Sequence, residues 1–232
     1  MAWLAHIDLL KFVVQNNFGS ALILEDDQDW SVDIRNQTER IAKSILDLTG
    51  RQHIAHTPYG TDWDVLWMGH CSDPPDVSKP FVVFDDDTTA PLDRYKGLNR
   101  HIVDVIKEGQ RAVHFSVNPV CTWAYAVSHA GARKLLEFAS NGKGGAFDLM
   151  MMYACQRSEL RCISVNPQIF DPYHPAEGDE SEVRAGDNGG EDDFATGRSN
   201  KVMGRTDNIL KSARCQALFN DTCLLEMDER GP

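Results

Sequence analysis

The sequence predicts an α/β layered fold with a mainly parallel central sheet. Short apolar runs alternate with segments of helical periodicity, and several of those runs are apolar on both faces, as strands inside a sheet are. A third observation is capacity: 232 residues with 42% hydrophobic content can enclose one large core or two small ones.

The elements follow in chain order. Leu4, Ile7, Leu10, Val13 and Val14 recur at helical spacing and predict a core-facing amphipathic helix. "SALIL" then reads as a strand, Val32 to Leu48 as a helix, and "WDVLWMGH" as a second apolar strand. "PFVVF", "RAVHFSV" and "CTWAYAVS" are three further strands. "AGARKLLEFAS" and "FDLMMMYACQRS" are helices, and "LRCISVN" is a last short strand. From Asp171 the chain is rich in Gly and acid with little apolar periodicity, which predicts a long loop or disordered segment. The expected division is a core over residues 1–175 and an acidic Gly-rich loop with a C-terminal segment over 176–232.

A formal charge of −12 argues against nucleic acid as a partner, because such binding draws on clustered Lys and Arg. No run is long enough to span a membrane, and Asp8 and Lys11 interrupt the stretch where a signal peptide would be purely apolar. The six cysteines, Cys71, Cys121, Cys155, Cys162, Cys215 and Cys223, have none of the CxxC spacing of zinc sites. Sequons at Asn36 and Asn220 fit a secretory lumen, while six thiols also fit a reduced cytoplasmic protein. In a lumenal chain Cys71 would pair with Cys121, since each flanks an apolar strand of one sheet. Cys155 with Cys162 would close a short loop between the last helix and strand.

The strand "SALIL" runs directly into Glu25, Asp26 and Asp27. Open α/β sheets bind ligands at the carboxyl ends of their strands, where these acids stand. In an extended backbone Glu25 and Asp27 share one side and Asp26 points to the other. Two like charges about 4 Å apart repel by roughly 1 kcal/mol in water and about 4 kcal/mol at an effective dielectric near 20. A divalent cation resolves that conflict, and hard oxygen ligands suit Mg2+ or Mn2+ with phosphate oxygens and water completing the shell. The alternative is that the acids cap the next helix or face solvent.

The order "ALILEDD", "DWDVLWMGHC", "TWAYAVSHAGARKLL", "FDLMM" and "NPQIF" resembles glycosyltransferase family 25, the lipooligosaccharide and collagen galactosyltransferase group, and is nearest its fungal members. The resemblance runs from about Ala2 to Phe170 and reappears in "TDNILKSARCQAL". It implies a GT-A-like, Rossmann-like layered fold. It also implies an enzyme that moves a hexose, galactose first, from a UDP-sugar donor to a glycan or protein hydroxyl with inversion. In that family the "EDD" position is a DxD-like motif, so Glu25, Asp26 and Asp27 inherit the donor-diphosphate role and Glu25 and Asp27 the Mn2+ or Mg2+. Asp148 in "GGAFDLMM" is the implied general base, with an N-cap role for the following helix as the alternative. His174 in "DPYHP" lies where GT-A enzymes place a further metal ligand, with a plain loop histidine as the alternative. The family carries a first βαβ segment upstream of the helix near Ala2, so the fold expected here is N-terminally shortened, either as a fragment of a longer chain or as a shortened protein with an impaired donor pocket. An ER or Golgi location would then be specified by that upstream segment. The competing function is a catalytically inactive glycosyltransferase-like protein that binds a glycan or protein partner. A purely metal-binding interaction protein is a third.

Other residues have plainer readings. His70 ends an apolar strand and suits strand-end hydrogen bonding, and His6 suits a core or helix-end role. The second acid run, Asp85 to Asp87, precedes a turn and reads as solvent-facing. "SNGKGGAF" with Lys143 lacks P-loop spacing, and Met150 to Met152 read as core packing.

Overall fold

The computed structural model describes residues 2–52, 56–140, 145–175 and 203–221. Helix α1 (Ala2–Gln15) leads into strand β1 (Ser20–Leu24), short strand β2 (Gln28–Trp30) and helix α2 (Ile34–Thr49). Strands β3 (Val65–Gly69), β4 (Phe81–Asp85), β5 (Gln110–Phe115) and β6 (Ala124–Ser128) follow. Helices α3 (His129–Ser140) and α4 (Phe147–Gln156), strands β7 (Cys162–Asn166) and β8 (Phe170–Pro172), helix α5 (Ala213–Phe219) and two 3-10 turns, Leu92–Arg94 and His101–Asp104, complete the described elements. Each periodic segment of the sequence forms the element it predicts, whereas β2, β8 and α5 are too short to give a periodic signal.

Six strands form one sheet in the order β1-β6-β3-β7-β5-β4. The expected mainly parallel sheet is corrected here. Only β3 and β7 pair parallel, because β6 inserts antiparallel between β1 and β3, and β5 does so between β7 and β4. Those two insertions leave β1, β3, β7 and β4 all running the same way. Their carboxyl ends therefore share one edge of the sheet with the amino ends of β5 and β6.

Alternation along the strands builds a core on each face. On one face Trp67, Tyr125, Val127 and Ile23 pack against α1, α3 and α4 through Leu10, Leu135 and Met151. On the other, Leu66, Ala126, Val113 and Ile163 pack against Ile41 and Ile45 of α2. Met151 and Met152 are buried, in keeping with a packing role. Strand β1 is not buried on both faces as expected: it is an edge strand, Ile23 alone is buried, and Leu22 and Leu24 are exposed on the side α2 does not reach.

Both expected disulfides are present, Cys71–Cys121 and Cys155–Cys162, each with Cα atoms 5.6 Å apart. Cys215 is disulfide-bonded as well, and Cys223 lies outside the described residues. So do Lys143 and most of the acidic Gly-rich segment, but residues 203–221 are bound to the core. Bridges join Ser31 to Ser212, Thr89 to Ile209 and His174 to Arg205.

The two disulfides close loops of very different size, with sequence separations of 50 and 7. Chain entropy assigns about 4 kcal/mol to the longer and about 2 kcal/mol to the shorter. Urea denaturation should therefore show Cys71→Ala losing roughly twice the stability that Cys155→Ala loses. Equal losses would mean that loop length does not set their contributions.

Candidate functional site at the carboxyl edge of the sheet

Beyond Leu24 the chain does not stay extended. The Gln28 N–H donates to Glu25 O at 3.3 Å, so Glu25 to Gln28 form a turn and the expected two-residue alternation stops at the strand end. Glu25 turns inward and is half-buried, while Asp26 and Asp27 are exposed. Glu25 Oε1 accepts the Thr122 hydroxyl at 2.8 Å, and Thr122 Oγ1 lies 3.3 Å from His6 Nε2. His6 Nδ1 is 3.1 Å from the Tyr125 hydroxyl. A carboxylate only accepts, so the Thr122 proton goes to Glu25 and its oxygen accepts His6 Nε2–H, which leaves Nδ1 to accept from Tyr125. All three donors thus point along one chain toward Glu25.

Burial pushes the Glu25 carboxyl above its ordinary range; the Thr122 bond opposes this, and the charges of Asp27, Asp26 and Asp148 add to it. Burial holds His6 below its ordinary value, with Asp148 pulling the other way. His6 stacks on Phe147 at 4.5 Å, a core histidine as the sequence suggested, yet one hydroxyl away from the acidic cluster.

Asp148 sits in the first turn of α4, but Ala146 occupies the N-cap position, so the capping alternative is corrected. The Asp148 oxygens accept instead from Cys121 N at 3.0 Å and Leu149 N at 2.8 Å. Cys121 holds φ at 67°, an uncommon left-handed conformation for a residue with a Cβ. Glu25 and Asp148 are therefore fixed by the consecutive residues Thr122 and Cys121.

Asp27 Oδ1 accepts Gln28 Nε2 at 2.7 Å, and its carbonyl accepts Tyr173 N at 2.9 Å. That backbone bond brings the acidic turn beside the chain that leads to His174. His174 is half-buried, with Nε2 3.4 Å from Asp207 Oδ2, while Lys96 Nζ lies 2.8 Å from Asp207 Oδ1. The His174 bond, helped by Lys96, holds the Asp207 carboxyl down to about 2. Among the described residues no three His, Cys, Asp or Glu side chains gather at one point. The donor chemistry still fits a hard divalent ion, because Mg2+ and its like bind through one or two carboxylates plus substrate phosphates.

The remaining acids near this edge serve the framework. The second acid run is not wholly in solvent: Asp85 and Asp87 are exposed, but Asp86 is buried and pairs with buried Arg111 at 2.6 Å, because Arg111 needs a counter-charge where it binds Pro167 O and Gln168 O. Buried Asp73 accepts from Val117 N, Asn118 N and Ser164 Oγ. His70 donates Nε2–H to Val165 O at 3.0 Å and accepts Ser72 N at Nδ1, the strand-end role expected; burial pushes it down to about 4.

Sequence reasoning missed the C-terminal contribution. Asp29 of β2 and Asp171 of β8 stand opposite each other in the two-stranded sheet, both buried. Asp29 accepts the Ser212 hydroxyl and Arg214 N, and Asp171 accepts Asn208 Nδ2 at 2.9 Å and Gln168 Nε2 at 2.7 Å. Asn208, Ser212 and Arg214 all fall within "TDNILKSARCQAL", so the segment was visible as a motif although its roles were not.

No protein-family model matches this chain, and no curated protein is found similar to it.

Burial pushes Asp171 up to about 6, against about 3.9 in an unfolded chain. The folded state therefore holds this proton more tightly. The stability so gained is complete below about pH 4 and is lost as pH rises through about 6. Relative to the native protein, Asp171→Asn should flatten the urea stability profile across that window by on the order of 2 kcal/mol. Parallel profiles would assign Asp171 an ordinary carboxyl.

Proposed function

We propose that this chain is a glycosyltransferase that transfers a hexose, with galactose as the proposed sugar, from a UDP-sugar donor to a hydroxyl acceptor with inversion. The observation that carries the reading is the meeting of the Glu25–Asp27 turn and Asp148 at one edge of the sheet, each fixed by adjacent residues of the segment entering β6. The sequence resemblance supports it independently, by placing the donor motif and the base at those positions.

In this reading Asp27 and Glu25 hold Mn2+ or Mg2+, and His174 joins them only by leaving Asp207. The bound ion would supply positive charge to the departing diphosphate. Exposed Asp26 and Asp27 face solvent, where a diphosphate arrives. Glu25 is anchored through Thr122, so that its free lone pairs keep one direction. Asp148 is fixed by two main-chain N–H groups and accepts the acceptor hydroxyl's proton on a remaining lone pair. The disulfides fit an oxidising compartment such as the ER or Golgi lumen. No helix among the described residues is long and apolar enough to cross a membrane.

A second reading, an inactive glycosyltransferase-like protein that binds a glycan or a protein, is favoured by one observation. Both Asp148 oxygens and one Glu25 oxygen already have partners within the fold.

Calorimetry of UDP with Mn2+ separates these readings. Glu25→Gln or Asp27→Asn should abolish Mn2+-dependent UDP binding, and unchanged binding would remove them from the donor site. Asp148→Asn should lower transfer by at least about a hundredfold while keeping Mn2+-UDP affinity. Asn keeps an oxygen for only one of the Cys121 and Leu149 N–H groups, so near-normal turnover despite that loss would leave Asp148 no catalytic role. UDP binding with no turnover in the native protein would favour the inactive reading.

A further inference from the structure

We infer that Arg214 is a diphosphate-binding residue of this edge, an inference that rests on the UDP-sugar reading above. Its main chain is firmly placed: Arg214 N donates to buried Asp29 at 3.2 Å, Ser212 Oγ donates to the same carboxylate, and Cys215 N donates back to Ser212 at 2.9 Å. The side chain then reaches from α5 to the acidic turn. Its Nη2 lies 3.4 Å from both Asp26 O and Gln28 O, and its guanidinium carbon stands 4.8 Å from the centre of the Tyr173 ring.

That arrangement is more than a brace needs. The two carbonyl bonds are long and use a single nitrogen, although a guanidinium presents five N–H donors in a rigid fork. Nε and Nη1 have no acceptor among the described residues and are not sealed from solvent, so both stay open to the oxygens of an arriving ligand. The nearby carboxylates do not take them: Asp27 accepts from Gln28, Glu25 from Thr122, and Asp207 is paired with His174 and Lys96. The result is a positive, planar donor group, stacked on a ring and tethered to the turn that carries Asp26 and Asp27. A diphosphate matches it, because phosphate oxygens accept paired N–H bonds from a guanidinium and carry the charge to balance it. The acids of the turn repel a bare anion, so Arg214 would complement a cation held by Asp27 on the same diphosphate.

The test is calorimetry with two probes, UDP and inorganic pyrophosphate, each with Mn2+. Arg214→Ala should weaken both by at least about tenfold. Equal affinity in the variant and the native protein would overturn the role of Arg214 and leave the donor-site reading standing. Failure of the native protein to bind either probe would overturn both. Arg214→Ala also loses packing on Tyr173, and if it melts early, Arg214→Gln decides the matter. It keeps an amide N–H for the two carbonyls but no charge, so native-like affinity overturns the inference and a tenfold loss supports it.

Discussion

The short segment Val120 to Trp123 is the constraint on which the candidate site depends. Its four residues touch the elements that deliver Glu25, His6 and Asp148. Val120 O accepts Cys71 N, and Cys121 is covalently tied to Cys71 at the end of β3. Cys121 N holds Asp148 at the start of α4, Thr122 joins His6 of α1 to Glu25, and Trp123 O accepts Glu25 N. The left-handed backbone at Cys121 is what turns consecutive residues toward separate acids. Such a conformation persists in a non-glycine residue only where its surroundings over-determine it, as the disulfide, the Cys71 N to Val120 O bond and the Cys121 N to Asp148 carboxylate bond do here.

Around that segment the protein divides its acids by burial. Asp73, Asp86, Asp29 and Asp171 are each almost wholly buried and each hold a loop by charge-assisted bonds or an ion pair. Removing one partner of a buried pair such as Asp86–Arg111 costs about 3–5 kcal/mol, because the other charge is left stranded. Asp26 and Asp27 do no such work, and Glu25 stands between the two groups, half-buried and reached by the field of its neighbours. The buried acids hold the framework, and Asp26 and Asp27 remain on its surface.

What was legible in the sequence is what local periodicity encodes. Two-residue and 3.6-residue repeats depend on neighbours in the chain, so the large helices and strands could be placed from residues alone. The disulfides match the pairing expected for a lumenal chain, one of the fifteen connectivities that six cysteines allow, and the roles of His70 and Met151 followed from their place at a strand end and on an apolar helix. The carboxyl-edge position of Glu25 to Asp27 was also correctly anticipated, although the sheet expected around it was not.

The sequence by itself determined the α/β class, the run of elements and the presence of acids at the end of β1. Only the tertiary structure decided strand order and direction, because pairing β6 between β1 and β3 is a non-local choice that no single segment records. It also decided which acids are structural. Asp86 and Asp87 are chemically identical neighbours, and what separates them is that Arg111 comes to rest on one of them. The Glu25–Thr122–His6 chain and the placement of Arg214 beside Asp26 and Gln28 arise the same way, from residues brought together across long stretches of chain. Periodicity carries no information about such meetings; they are set by which faces the core buries against one another.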